Sequence, residues 1–428
     1  MNIKIKPVKK IVGELSVPGD KSISHRALMI GALALGQTKI KGLPESDDCN
    51  YTAKAFREMG IIIREESNTT IVEGKGLHGL KKPADPLYVG NSGTSMRILA
   101  GILAGQRFDS TITGDTGISA RPMKRIVEPL SMMGVKISAR GEGEYPPLTI
   151  SGGTVKPISY KNLIASAQVK SAILFAGLYS KGTTKVVEPV RSRDHTERML
   201  KYFGAKVKVS GQSVSVKGGS ELKARAVEIP GDISSASFFM VAATILKGSR
   251  INIQNVSINP TRAGILKVLA RMGADIEVIN KKRIGPEPSA DIIVKYSKTH
   301  GITITKEMVP SIIDELPIIF LLAALSKGVT TIEGVGELRV KETDRIRSMQ
   351  DGLKAMGVGF RVKGDSVVIE GRKSLKGASL QSFGDHRTCM ALAVAALAAE
   401  GDSDIEGPES VSKSFPSFFD TLFDLTLV

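Results

Sequence analysis

The stretch Val17–Arg26, VPGDKSISHR, sets a Pro-Gly turn, an acid, Lys21, two serines, His25 and Arg26 directly ahead of the apolar run Ala27–Leu35. An N-cap at Ser22 or Ser24 would place Lys21 and Arg26 beside the positive end of a helix, which suits an anion. A capped surface helix with no ligand has the same signature, so the segment gains meaning only if its pattern recurs. VKETDRIRSM, Val340–Met349, is a second charge-dense stretch. One helix turn there would bring Lys341 and Arg345 around the carboxylate of Glu342. Asp314 and Glu315 open another apolar run, and a carboxylate at a helix start is held as an anion by the helix dipole, fit to act as a base. Glu342, crowded by cations, would be an acid only if burial raised its pKa against them. The chemistry these residues permit is anion binding combined with proton transfer.

The elements that must position them form a repeat. Val17–Arg26 and its apolar run are echoed by GNSGTSMRILAGILAG from Gly90, SAQVKSAILFAGLYSKG from Ser166, PGDISSASFFMVAATILKG from Pro230, IIDELPIIFLLAALSKG from Ile312 and GDHRTCMALAVAALAAEG from Gly384. Each passes from a polar loop into a short, nearly all-apolar helix that ends near a glycine and leads to a strand. A second helix closes on Gly60, Gly134, Gly204, Gly273 and Gly357 in five of the six copies. The spacing, about 70 residues, exceeds solenoid periods and indicates six copies of a supersecondary unit. In the first copy the pattern predicts a helix from about Ser22 to Leu35, a strand over Thr38–Lys41, a helix over Asp48–Met59 and strands near Ile61–Arg64 and Thr69–Glu73; ahead of it, alternation over Ile3–Val17 reads as a β-hairpin or strand pair. Helices apolar all round must be buried on every side, so they belong at domain centres. Their polar starts need solvent, and gathering them on one surface makes an anion-attracting site.

LSVPGD (Leu15–Asp20) and EIPGD (Glu228–Asp232) are near-copies and read as two crossings between domains, near 18–20 and 229–232. One domain is then 19–229 and the other 1–18 plus 230–428, with a cleft that could close on a ligand.

Composition narrows the class. At 428 residues and 42% hydrophobic the chain can bury large cores. A net charge of +16 favours anionic partners without choosing among nucleic acid, anionic lipid and phosphorylated metabolites. Two distant cysteines, Cys49 and Cys389, indicate packed thiols rather than disulfides, zinc ligands or nucleophiles. The alternating N-terminus lacks the core of a signal peptide, and no apolar run nears the ~18 residues that span a bilayer, so a cytoplasmic protein is expected. GKGLHG at Gly74 fits GxGxxG but prolines, not a helix, follow it. His195 and His386 each follow an aspartate without the paired spacing of a metal site.

Taken in order, GDKSISHR at Gly19, GNSGTSMR at Gly90, ARP at Ala120, SAQ at Ser166, RDHTE at Arg193, DELP at Asp314, VKETDR at Val340, GDHR at Gly384 and SKSFP at Ser412 resemble the 5-enolpyruvylshikimate-3-phosphate synthases along essentially the whole chain. The resemblance implies an α/β fold, a two-lobed inside-out α/β barrel of six βαβαββ units, three per lobe. It implies transfer of the enolpyruvyl group of phosphoenolpyruvate to the 5-hydroxyl of shikimate 3-phosphate, with no metal or cofactor. Matched motif by motif, Lys21, Ser22, Arg26, Ser166, Gln168, Arg193, Asp314 and Lys341 would hold shikimate 3-phosphate. Ala167 stands where many members carry a second serine, so a contact there would use backbone. Lys21, Asn91, Gly93, Thr94, Arg121, Gln168, Arg345, Arg387 and Lys413 would hold phosphoenolpyruvate. Asp314 would be the base toward the 5-hydroxyl, Glu342 the proton donor to the methylene carbon, and Lys21 a further catalytic cation.

Two rivals remain at this stage. The enolpyruvyl transferase acting on UDP-N-acetylglucosamine shares the fold but typically carries a loop cysteine, and none lies between Gly105 and Pro122. A basic nucleic-acid-binding protein would fit the charge, against which stand the absence of Trp and 5% aromatics. A site contained in one chain makes a monomer, with no nucleic-acid or membrane partner, the expectation.

Overall fold

The computed structural model describes residues 1–426. Six apolar helices carry the repeats: α1 (Lys21–Leu33), α2 (Gly93–Ala104), α3 (Ala167–Gly177), α4 (Ile233–Ile245), α5 (Leu316–Ala324) and α6 (His386–Leu397). All nine residues of α5, LPIIFLLAA, and all twelve of α6 are buried, as helices without a polar face require.

The chain divides into two compact units. The middle unit comprises Gly19–Ile229 with Arg283–Glu287, and the terminal unit comprises Met1–Pro18, Pro230–Lys282 and the chain from Pro288 on. Each has its own hydrophobic core around three of the helices. In the middle unit α2 packs along α3 and touches α1, and in the terminal unit α4, α5 and α6 pack against one another.

Three sheets clothe the helices of the middle unit, and three, with the short parallel pair Leu375–Lys376 and Ala399–Glu400, clothe those of the terminal unit. In the middle unit they share one order, a parallel pair followed by two antiparallel neighbours: Ala226–Glu228, Leu35–Lys41, Thr69–Lys75 and Ile62–Glu66 in one, with Asp109–Thr113 and Thr183–Val187 in the second position of the others. The alternating burial of a strand such as Thr183–Val187 shows one face on the helices and one in solvent. The terminal unit repeats the order with Val12–Ser16, Arg250–Ser257, Glu287–Lys295 and Asp275–Ile284, and again around Val329–Ile332. Its third sheet runs Ser379–Gln381, Ser403–Glu406, Asn2–Ile5. The architecture is thus α/β, six βαβαββ units with helices inside and sheets outside.

Two expectations change. Ile3–Val17 is not a hairpin: Asn2–Ile5 pairs antiparallel with Ser403–Glu406, and Val12–Ser16 pairs parallel with Arg250–Gln254. Alternation marks one buried face of a strand but leaves its partner to the tertiary fold. The cap of α1 is Asp20, whose Oδ1 accepts from the Ile23 amide at 2.9 Å, not Ser22 or Ser24. Ser24 instead donates its hydroxyl to the Asp20 carbonyl at 2.8 Å.

The chain passes between the units at 18/19 and 229/230, and again on either side of Arg283–Glu287; the first two passages are each tied down within a unit. The Asp232 amide donates to the Pro18 carbonyl at 2.8 Å, and the Ile229 amide donates to the Lys41 carbonyl at 2.9 Å. A Cβ on Gly19 would lie 2.0 Å from the Gly42 carbonyl oxygen, and Gly42 itself has φ +79°, so backbone closeness requires glycine at both positions.

Candidate active site

In the middle unit the starts of α1, α2 and α3 carry most of the expected anion ligands. Lys21, at the first turn of α1, reaches Asp48 with its Nζ 2.8 Å from Oδ2. Arg26 lies one turn on and is buried; its Nε donates to Thr196 Oγ1 at 2.6 Å, one Nη to the Ser22 carbonyl at 2.9 Å and the other to Ser171 Oγ at 2.9 Å. Burial pulls the Arg26 guanidinium down to about 10, opposed by Glu197 and Asp20. His25 is wholly buried with Nδ1 2.7 Å from Thr52 Oγ1, in a chain that continues to Ser95 and Ser92. Burial, then the charges of Lys21 and Arg26, hold its imidazole well below the ordinary value. It braces the helix starts as a neutral ring and caps nothing.

Ser92 and Ser166 cap α2 and α3. Asn91 donates to both Asp115 oxygens at 2.8 and 2.9 Å and accepts from Arg121. Gln168 donates to Thr94 Oγ1 at 2.9 Å and accepts from Arg97 at 2.6 Å. A Cβ on Gly93 would sit 2.8 Å from one Nη of Arg97 and 3.2 Å from one of Arg121, so the bare glycine leaves these guanidiniums room. Ala167 offers its carbonyl, which accepts from Ser171 Oγ at 2.6 Å. Beneath this surface Lys170, 1% exposed, lies 2.9 Å from Glu188 and 2.7 Å from Glu197. Burial pushes the Glu197 carboxyl up, against the pull of Lys170. This ion cluster fixes the loop 188–194 that carries Arg193, together with His195, whose Nδ1 is 2.8 Å from Glu287.

In the terminal unit the expected residues gather on one guanidinium. Arg345, 1% exposed, donates from Nε to Asp385 Oδ2 at 2.7 Å, from one Nη to Glu342 Oε2 at 2.5 Å and from the other to Asp314 Oδ1 at 3.3 Å. Burial works against its charge, but Asp385, Glu342 and Asp314 together hold the guanidinium above its ordinary value. Asp385 is also the cap of α6, accepting from the Arg387 amide at 2.8 Å. Arg387 donates to the Asp314 carbonyl at 3.0 Å, and Lys413 to the Gly384 carbonyl at 2.7 Å. The predicted turn of helix through Lys341 is absent: the helix starts at Arg345 with Asp344 as its cap, and Lys341 is extended. Asp344 accepts from the Ile346 and Arg347 amides at 3.1 Å, and this local bond outcompetes continuation of the helix backward. Asp314 lies just outside α5, while Glu315 is buried and accepts from Arg262 at 2.6 Å.

The sequence reading missed Asp48, Arg97, Thr196 and Asp385, which hold expected ligands rather than standing among them. Arg97 was visible as the last residue of GNSGTSMR, and Asp385 as the acid of GDHR. Thr196 was visible as the threonine of RDHTE, and nothing local marked Asp48. Among the described residues no group of three or more His, Cys, Asp or Glu could hold a metal ion, and no helix is long and apolar enough to cross a membrane.

A family model described as EPSP synthase (3-phosphoshikimate 1-carboxyvinyltransferase) matches residues 5–422. A relative from Brevibacillus brevis named 3-phosphoshikimate 1-carboxyvinyltransferase is 48% identical over 424 residues, 99% of this chain and 100% of that protein. One of the same name from Citrifermentans bemidjiense is 49% identical, covering 98% of each. The solved EPSP synthase of Acinetobacter baumannii superposes with a TM-score of 0.89 at 46% identity, over 100% of this chain and 98% of that one. The enolpyruvyl transferase NikO of Streptomyces tendae, 17% identical with a TM-score of 0.80 over 99% of this chain and 96% of that one, shares the fold. Matched almost end to end, and at nearly half identity to its relatives, the chain belongs to the EPSP synthase family.

Proposed function

We infer that this chain transfers the enolpyruvyl group of phosphoenolpyruvate to the 5-hydroxyl of shikimate 3-phosphate and releases phosphate, a step of aromatic amino acid biosynthesis. The observation that carries the chemistry is that Asp314 and Glu342 bind the same buried guanidinium, that of Arg345. The reaction needs one proton taken from oxygen and one given to carbon, and a shared anchor sets two carboxylates at a fixed separation for those tasks. In our reading Asp314 takes the proton of the 5-hydroxyl as its oxygen bonds to C2 of phosphoenolpyruvate, and Glu342 protonates the C3 methylene. The tetrahedral adduct then loses phosphate as a proton leaves the C3 methyl group, restoring the double bond.

Two polyanions must approach each other, so guanidiniums that grip carboxylate and phosphate in pairs outperform isolated lysines. We assign Lys21, Ser22, Arg26, Ser166, the Ala167 backbone, Gln168, Arg193, Asp314 and Lys341 to shikimate 3-phosphate. Phosphoenolpyruvate falls to Lys21, Asn91, Gly93, Thr94, Arg121, Gln168, Arg345, Arg387 and Lys413. The proposed lobes are 19–229 and 1–18 with 230–428, with crossings near 18–20 and 229–232, and the short segment 283–287 groups with the first of them. We further propose a cytoplasmic monomer that uses neither nucleic acid nor membrane. The test is phosphate release by purified protein given both substrates. Release that requires both and disappears in Lys21→Ala is expected, and no release at all would overturn the reading.

A further inference from the structure

We propose a second ligand site in the middle unit, between helix His195–Tyr202 and the segment Arg283–Glu287, that binds a phosphate ester carried on a flat ring, of about nucleoside monophosphate size. A cavity of about 460 Å³ opens there, and none of the residues assigned to the two substrates lines it.

Its charge is unbalanced toward cations. Arg191, Arg198, Lys201 and Arg283 all line the cavity, against two carboxylates, Asp194 and Glu197. Both carboxylates are already engaged: Asp194 holds Arg198 at 2.7 Å and Arg191 at 3.2 Å, and Glu197 holds the buried Lys170 at 2.7 Å. Lys201 and Arg283 are exposed and have no ion-pair partner among the described residues. Two uncompensated cations lining one cavity attract a dianion, and a guanidinium together with an ammonium suits phosphate oxygens.

The rest of the lining calls for a ring. Tyr202, Val207, Val209 and Pro286 make an apolar side to the cavity. The Tyr202 ring is fixed by its hydroxyl, which donates to the Ala226 carbonyl at 3.0 Å, and by an edge contact with Phe203. Arg225 lies over the ring, its guanidinium carbon 5.9 Å from the centroid, and Gly285, at φ +74°, adds no side-chain atoms where a Cβ would come within 3.7 Å of the ring's hydroxyl end, so stacking of a flat ring on Tyr202 is the contact we propose. Inorganic phosphate alone would use only half of such a site.

The test titrates the full chain calorimetrically with adenosine 5′-monophosphate and with inorganic phosphate, with shikimate 3-phosphate present in excess to occupy the other site. Saturable one-to-one binding of the nucleotide is expected, at least about tenfold tighter than phosphate. Lys201→Ala combined with Arg283→Ala should weaken it at least about tenfold, with the melting temperature and the rate of phosphate release unchanged. Tyr202→Leu should narrow the gap between nucleotide and phosphate. No saturable nucleotide binding below about 10 mM, equal affinity in the double variant, or phosphate binding as tightly as the nucleotide would each overturn the proposal.

Discussion

Asp385 holds Arg345 and caps α6 with the same carboxylate: Oδ2 lies 2.7 Å from the guanidinium Nε while Oδ1 accepts from the Arg387 amide at 2.8 Å. One buried acid therefore fixes the cation on which Asp314 and Glu342 hang and the helix start that bears Arg387. Asp385→Asn keeps a cap acceptor but withdraws the charge. Breaking a buried ion pair from one side costs about 3 kcal/mol, so a drop of several degrees in melting temperature is expected, with kcat/KM for phosphate release down at least about tenfold as the two carboxylates lose their anchor. A variant as stable and active as the parent would show that Arg345 is held without it.

Asp314→Asn and Glu342→Gln preserve shape and remove proton transfer. Each should lower kcat by about 10²–10⁴-fold while the KM values move little, measured by phosphate release at saturating substrates. A loss confined to KM would reassign the residue to binding alone.

Gly93→Ala adds a methyl 2.8 Å from Arg97 and 3.2 Å from Arg121. Both contacts are ends of flexible side chains, so the fold should tolerate the change within about 1 kcal/mol. The displaced guanidiniums should raise KM for phosphoenolpyruvate several-fold. Steady-state kinetics beside a thermal melt separate the two effects, and an unchanged KM would remove Gly93 from the phosphoenolpyruvate pocket.

His25 makes stability depend on pH. Its folded pKa lies well below the ordinary imidazole value of about 6.5, so below about pH 6.5 the unfolded chain binds the extra proton and the folded one does not. The stabilisation is complete above that value and is lost as the pH falls toward the folded pKa, at up to about 1.4 kcal/mol per pH unit. Denaturant midpoints between pH 8 and pH 5.5 should fall along that limb, and His25→Gln should flatten it. A slope identical in parent and variant would place the titration elsewhere.

Lys170→Met strands Glu188 and Glu197, 2.9 and 2.7 Å away, in a dry interior. A destabilisation of about 3–5 kcal/mol is expected, seen as a lower denaturant midpoint. Adding Glu197→Gln should recover part of it, and no recovery would show that the two charges do not act as a unit.

What could be read from residues alone followed how local its cause is. The six helices were legible because an unbroken apolar run such as LPIIFLLAA has one physical solution, burial on all sides. The glycines that end the second helices were legible for a similar reason, Gly60 and Gly357 having φ near +85° where other residues are strained. The partners of Asn2–Ile5 and Val12–Ser16 were not legible, because each pairs with a strand more than 200 residues away. Within the site, charge types marked Lys21, Arg345 and Glu342. The helical reading of Lys341 failed because Asp344 captures the next amides. Supports such as Thr52 behind His25 and Thr196 behind Arg26 are ordinary hydroxyls whose role exists only once distant helices meet.

The pairing of Asn2–Ile5 with Ser403–Glu406 has a consequence for biosynthesis. A chain emerging from the ribosome completes the strands 226–228 and 35–41, and with them the sheets of the middle unit, soon after residue 229. Asn2–Ile5 must wait about 400 residues for its neighbour, a closure that is entropically slow. The terminal unit therefore completes its sheets after the middle one.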